Sequence, residues 1–81
     1  MGQYQDAAQD FTRCIELYPK GTPSLTASYF HLGRALKAQN QNIEAKNNLQ
    51  TALRLNDKIG GLSETDLEEA KGILTNLSES Y

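Results

Sequence analysis

Tyr29-Phe30-His31-Leu32-Gly33-Arg34-Ala35-Leu36, followed by Ala45, Leu49 and Ala52, is the stretch that decides how this chain folds. Leu25, Tyr29, Leu32 and Leu36 stand three or four residues apart, a spacing that keeps one side of an α-helix apolar. Ile43, Ala45, Leu49, Ala52, Leu53 and Leu55 do the same for a second segment. Asn40-Gln41-Asn42 breaks the first and offers caps for the second, and so short a connection makes the two helices antiparallel and in contact. Gly33 inside a helix costs up to about 1 kcal/mol relative to alanine. Its presence there points to a neighbouring helix packed close to the backbone, a tolerated defect being the other reading.

Upstream, Tyr4, Ala7, Ala8, Phe11, Cys14, Ile15 and Tyr18 continue the three-four spacing, which predicts a helix over about 3–18. Pro19 disfavours helical geometry in Tyr18 and donates no amide hydrogen, so the helix stops there. Thr22-Pro23 starts the next one, with the Thr hydroxyl as cap and proline at the first helical position, giving 23–38. The third spans about 42–56, and Lys58-Ile59-Gly60-Gly61 is expected to be a hinge. Ser63 then caps a fourth helix over 64–78 whose apolar side is Leu67, Ala70, Ile73, Leu74 and Leu77. The tail 78–81 is expected to fray. Eleven Leu and eight Ala with no Val or Trp suit an all-α domain of 81 residues.

A shift of 38 residues places Ala7 on Ala45, Phe11 on Leu49, Cys14 on Ala52, Ile15 on Leu53 and Leu17 on Leu55. The first helix is therefore equivalent to the third, and a repeated helical pair means a stack. The segment Gly2-x-Tyr4-x-x-Ala7-x-x-x-Phe11-x-x-Cys14-Ile15-x-Leu17-x-Pro19 resembles the second-helix half of a tetratricopeptide repeat. Tyr29-x-x-Leu32-Gly33-x-x-Leu36 with Ala45, Leu49 and Ala52 is similar to one complete repeat of that family, whose period is about 34 residues. The longer offset falls in the connection from Pro19 to Ser24, and Asp57 stands where the family closes with proline. Leu67 to Leu77 looks like either the first helix of a degenerate further repeat or a capping helix.

The resemblance implies an all-α fold of antiparallel helix hairpins stacked as a short right-handed α-solenoid of four helices, one domain over 1–81. The first helix lacks a preceding partner, which suggests a fragment of a longer array or a chain completed by self-association. The family binds an extended peptide or a partner helix in the concave groove lined by the first helix of each repeat. Carried over, that lining is Ala27, Phe30, His31, Arg34 and Lys37. Phe30, Arg34 and Lys37 lie three to four apart, away from the leucine stripe, so they are expected to share an exposed side suited to a ligand with an acidic group and an apolar anchor. The plainer alternative packs Phe30 on the fourth helix and leaves Arg34 and Lys37 solvated. The carboxylate clamp of some members is not expected, since His31 stands where asparagine is usual and one repeat cannot supply the set.

Charge is uneven. Residues 20–58 carry +4 and residues 63–81 carry −4, so the fourth helix can lean over the groove of the second or pair with a second copy. Its leading carboxylates also suit the helix dipole. With a net charge of −2 the chain lacks the footprint of a nucleic-acid binder. No apolar run exceeds two residues, so neither a membrane span nor a signal core is expected. Cys14 on an apolar face reads as a buried inert thiol, and a single His without a second His or a Cys pair argues against a metal site. No phosphate-binding glycine loop is present, so neither a cofactor nor catalysis is expected. The expectation is a soluble, non-catalytic protein or peptide scaffold. The alternative is a homodimer that completes the half-repeat in trans. Tyr18-Pro19 with its lengthened loop is similar to repeats of bacterial envelope-assembly proteins, which leaves cytoplasm and periplasm both open.

Overall fold

Four α-helices and no strand make up the described residues, which are 2–17 and 20–79 in a computed structural model. They are α1 (Gly2–Leu17), α2 (Pro23–Ala38), α3 (Asn42–Ile59) and α4 (Glu64–Glu79). The Tyr18-Pro19 stop, the side chains of Tyr4 and Ala7, and the tail beyond Glu79 lie outside the described residues.

Asn40 ends α2 in a way only a few residue types tolerate. Its φ of 63° is left-handed, a conformation open to asparagine at modest cost. Its N–H donates to the Lys37 carbonyl at 2.9 Å, and the Gln41 N–H donates to the Leu36 carbonyl at 2.9 Å. Those two bonds are the Schellman closure of a helix C-terminus. The residue expected to help cap α3 therefore closes α2 instead, and Gln41, at the α3 N-cap, makes no side-chain capping bond. Thr22 occupies the N-cap of α2 ahead of Pro23, but its hydroxyl does not cap the helix; the Leu25 N–H donates to the Thr22 carbonyl at 3.0 Å. Ser63 does act as a cap, its Oγ accepting the Asp66 N–H at 3.2 Å.

The expected hinge after 56 is a correction. α3 continues through Lys58 and Ile59, because nothing before Gly60 opposes helical geometry, and Gly60 stops it with a φ of 74°. Gly61 follows at φ 118°. A Cβ there would collide with the Pro23 carbonyl oxygen and come within 2.8 Å of Thr26 Cβ, so the loop is pressed against the start of α2. The Leu62 N–H donates to Asn56 Oδ1 at 3.1 Å, tying the corner back to α3.

α2 is the central helix. Leu25, Thr26, Ser28, Phe30, Leu32, Gly33, Ala35 and Leu36 are buried and point to most sides of it. Phe30, Leu49, Ala52 and Ala70 are fully enclosed and join α2, α3 and α4. Leu32, Leu36 and Ala45 form a second cluster, against which Ala8, Phe11 and Ile15 of α1 and Leu77 of α4 pack. Gly33 lets α3 come this close: a Cβ on it would lie 2.6 Å from Leu49 Cγ and 3.3 Å from the Ala45 carbonyl oxygen. Of the two readings of this glycine, close packing is the one observed.

The chain measures 34 × 27 × 18 Å, and its thin dimension matches two helix layers spaced about 8–10 Å apart. α1 packs chiefly on α2, so Phe11, Cys14 and Ile15 are only half-buried and Leu17 is 81% exposed. The expected burial of the Cys14 thiol is corrected accordingly.

These contacts make Gly33 and Gly72 opposite cases. Gly33→Ala gains about 1 kcal/mol of helix propensity but must displace the fully enclosed Leu49, an overpacking cost of about 1–3 kcal/mol. We expect a net loss near ~1 kcal/mol at Gly33 and a gain of about 0.5–1 kcal/mol for Gly72→Ala; nothing lies within 4 Å of a Cβ at Gly72. Urea midpoints of the two variants check this, and equal stabilisation by both would remove the close approach.

Candidate interaction site

Ala27, His31, Arg34 and Ala38 fall within a sector of roughly 60° on α2 at 3.6 residues per turn. This sector is where the central helix is left uncovered: Arg34 and Ala38 are exposed, Ala27 and His31 half-buried. α1 stands on one side of the strip and α4 on the other. The His31 ring stacks on Phe11 of α1, with centroids 5.2 Å apart and planes at 23°, and is tilted at 55° to Phe30 at 5.2 Å. Arg34 Nε lies 3.1 Å from Glu69 Oε2 of α4, and the guanidinium carbon is 5.4 Å from the centre of the Phe30 ring. Arg34 is therefore held from two directions, by an ion pair and by a cation–π contact.

Of the five residues predicted to line the groove, Ala27, His31 and Arg34 are brought together in this strip. Phe30 is not available to a ligand. It is 0% exposed, packed with Leu49, Ala52 and Ala70, so the expectation of an exposed apolar anchor is corrected to the alternative in which it packs on the fourth helix. Phe30 sits about 40° round α2 from Arg34, and only the placement of α4 decides whether that direction is open. Lys37, about 60° round on the same side, is half-buried. Ala38 was legible and was missed: it is four residues beyond Arg34 and seven beyond His31. Glu69 was foreshadowed by the opposite charges of residues 20–58 and 63–81. No sequence signal pointed to Phe11 as a partner of His31.

The ion pair changes the donors that the strip presents. Arg34 and Glu69 keep 46% and 43% of their side-chain surface exposed, so the pair contributes at most about 1 kcal/mol. It engages Nε, and the two Nη groups of the fork retain donors for a ligand oxygen. An acidic group placed at the strip would share Arg34 with Glu69. Of the other α4 acids, Glu64 and Asp66 lie in its first turn, where they favour the helix dipole.

A separate cleft of about 450 Å³ opens on the far side of α2. Its floor includes Leu32 and Leu36, each two residues and so roughly 160° from Arg34. Gln9, Thr12, Arg13 and Glu16 of α1 form one wall and Glu44 and Asn48 of α3 the other, with Gln39 and Gln41 at the turn. None of the predicted groove residues lines it. Among the described residues no group of three or more His, Cys, Asp or Glu is placed to hold a metal ion. No helix among the described residues is long and apolar enough to cross a membrane.

Comparison with protein families gives two matches, each to a model described as tetratricopeptide repeat, over residues 26–59 and residues 1–21. The first covers α2 and α3, the second covers α1, and α4 lies outside both. Neither curated proteins nor solved structures give a match. The matched spans, the α2–α3 hairpin with Gly33 at its closest point, and the all-helical stack agree, and the chain belongs to the tetratricopeptide repeat family.

Proposed function

We propose that this chain is a non-catalytic scaffold that receives a peptide or a partner helix along the strip of Ala27, His31, Arg34 and Ala38. Tetratricopeptide repeats generally mediate protein–protein interaction. The observation that carries the finer reading is the strip itself, the uncovered sector of a helix otherwise enclosed by three neighbours. Its alanines let a ligand backbone approach, and Arg34 stands already oriented between Phe30 and Glu69. Pre-ordering a side chain before binding removes part of the entropy cost of holding it in the complex. A carboxylate on the ligand takes the Nη donors that Glu69 leaves. His31 is partnered by two phenylalanine rings and makes no hydrogen bond among the described residues, an arrangement that offers no acid–base pair for catalysis.

Self-association is the second reading, and the half-buried Phe11, Cys14 and Ile15 beside exposed Leu17 favour it. Completing the half-repeat head to tail would need an apolar outer side on α4. That side carries Glu64, Glu68, Lys71 and Thr75, all exposed. Sedimentation separates the readings: concentration-independent monomer supports the scaffold, a tight dimer the alternative.

With peptides selected from a displayed 12-residue library as probes, Arg34→Glu is expected to weaken acidic binders at least tenfold, and Arg54→Glu less than twofold. Equal losses, or insensitivity to salt, would take α2 out of the site. Glu69→Gln is expected to lower stability by under about 1 kcal/mol at low salt and by less at high salt. It should strengthen the same acidic peptides, because Arg34 is no longer shared; weaker binding would mean that Glu69 is needed to position it.

A further inference from the structure

We infer that the face of the α2–α3 hairpin beneath α4 is a second interaction surface, one that takes an amphipathic helix of a partner protein when α4 lifts away. It differs from the strip on α2, whose ligand is received with α4 in place, although Arg34 borders both.

The contacts of α4 define the chemistry of the occupant. Ala70 is fully enclosed with Phe30, Leu49 and Ala52, Ile73 and Leu74 pack on the same cluster, and Leu77 packs on Leu32, Leu36 and Ala45. Positions 70, 73, 74 and 77 have the i, i+3, i+4, i+7 spacing of a helix anchored in a groove. One residue ahead of them, Glu69 Oε2 meets Arg34 Nε at 3.1 Å. The partner helix therefore carries a carboxylate, a small residue directly after it, and aliphatic residues three, four and seven positions beyond that small residue.

α4 holds this place weakly. Among its described side chains only Ala70 is fully buried, while Leu67, Ile73, Leu74 and Leu77 are half-buried. Gly72 lies inside the helix with nothing within 4 Å of a Cβ, so, unlike Gly33, its low helix propensity is offset by no packing. Glu64 and Glu68 are like charges one turn apart, and no basic residue in the last turn meets the helix dipole. A segment with so few enclosed contacts opens at low free energy.

The corner that leads into α4 favours the same opening. Gly60 and Gly61, both at positive φ, form a pivot without side chains, and Gly61 is pressed against Thr26. The Thr26 hydroxyl is fully buried and has no hydrogen-bond partner. Lifting the corner gives it water, which removes the cost of leaving it unsatisfied. Lifting α4 also uncovers Phe30, Leu49 and Ala52 and releases Arg34 from Glu69, leaving an apolar surface with a cation at its edge. A partner helix free of the glycine and of the repelling charges makes the contacts of α4 from a more stable helix. It competes against a tethered rival, so its apparent affinity scales with the fraction of chains in which α4 has lifted.

The test measures, by fluorescence anisotropy, binding of a labelled synthetic peptide copying residues 62–79 with Gly72→Ala to the whole chain and to two variants of it. Ala70→Asp places a carboxylate in the enclosed cluster from the α4 side, which undocks α4 and leaves the hairpin unaltered. Gly72→Ala strengthens α4 at a position that touches nothing. The peptide is expected to bind roughly tenfold or more tightly to Ala70→Asp than to the unaltered chain, because every such chain has its surface free. Its affinity for Gly72→Ala should fall by about two- to fivefold, the equivalent of the helix propensity gained. Hydrogen exchange should find the amides of α4 less protected in the complex than in the free chain. Circular dichroism checks that Ala70→Asp is folded; if it is not, Gly72→Ala and the exchange measurement decide. The proposal is overturned if the peptide does not bind, if it binds while the protection of α4 stays unchanged, or if Gly72→Ala leaves its affinity unaltered. It is also overturned if sedimentation finds the unaltered chain to be a dimer that exchanges α4, since the surface would then belong to a second copy.

Discussion

Everything in this chain follows from how closely α3 can approach α2. A Cβ at Gly33 would overlap Leu49, so the absence of a side chain at one position sets the spacing of the central hairpin. At that spacing Leu49 and Ala45 are fully enclosed, and Phe30 turns into the space between α3 and α4. An 81-residue domain has a total stability on the order of 4–12 kcal/mol, and truncating one enclosed leucine typically removes about 2–5 kcal/mol of it. The glycine costs helix propensity, and the packing it permits more than offsets that cost.

The same hairpin leaves the proposed binding surface by subtraction. α1, α3 and α4 each cover a different side of α2, and what they leave is the strip containing His31 and Arg34. Both side chains are held by neighbours on either side, Phe11 of α1 and Glu69 of α4. A tetratricopeptide repeat is usually described by the helices that line its groove. In this chain the neighbours of the lining helix matter as much, because they fix the orientation of its exposed groups. They also account for the cleft on the far side of α2, which exists because α1 packs on α2 more than on α3.

The fold was legible in the sequence because its determinants are local: the three-four spacing, the Gly33 position, the 38-residue self-similarity and the Ser63 cap are all read along the chain. Errors gathered at the ends of elements. Asn40 closed α2 through a left-handed backbone and did not cap α3, and α3 overran its expected end because only Gly60 stops it. The site was partly legible. A helical wheel places Ala27, His31 and Arg34 together, but whether Phe30 is exposed depends on the angle at which α4 packs, and no spacing in the sequence encodes that angle. The cleft was not foreseen, since it is defined by the separation of two helices far apart in the chain.

The enclosure of α2 is best tested by amide hydrogen exchange resolved to single residues. Protection tracks the free energy of local opening, and helices packed on several sides open last. The result expected is greatest protection in the middle of α2 and in the facing turns of α3 around Leu49, with α1 exchanging faster along its whole described length. Protection of α1 equal to that of α2, or a freely exchanging α2, would contradict the arrangement from which the strip, the ion pair and the cleft have all been derived.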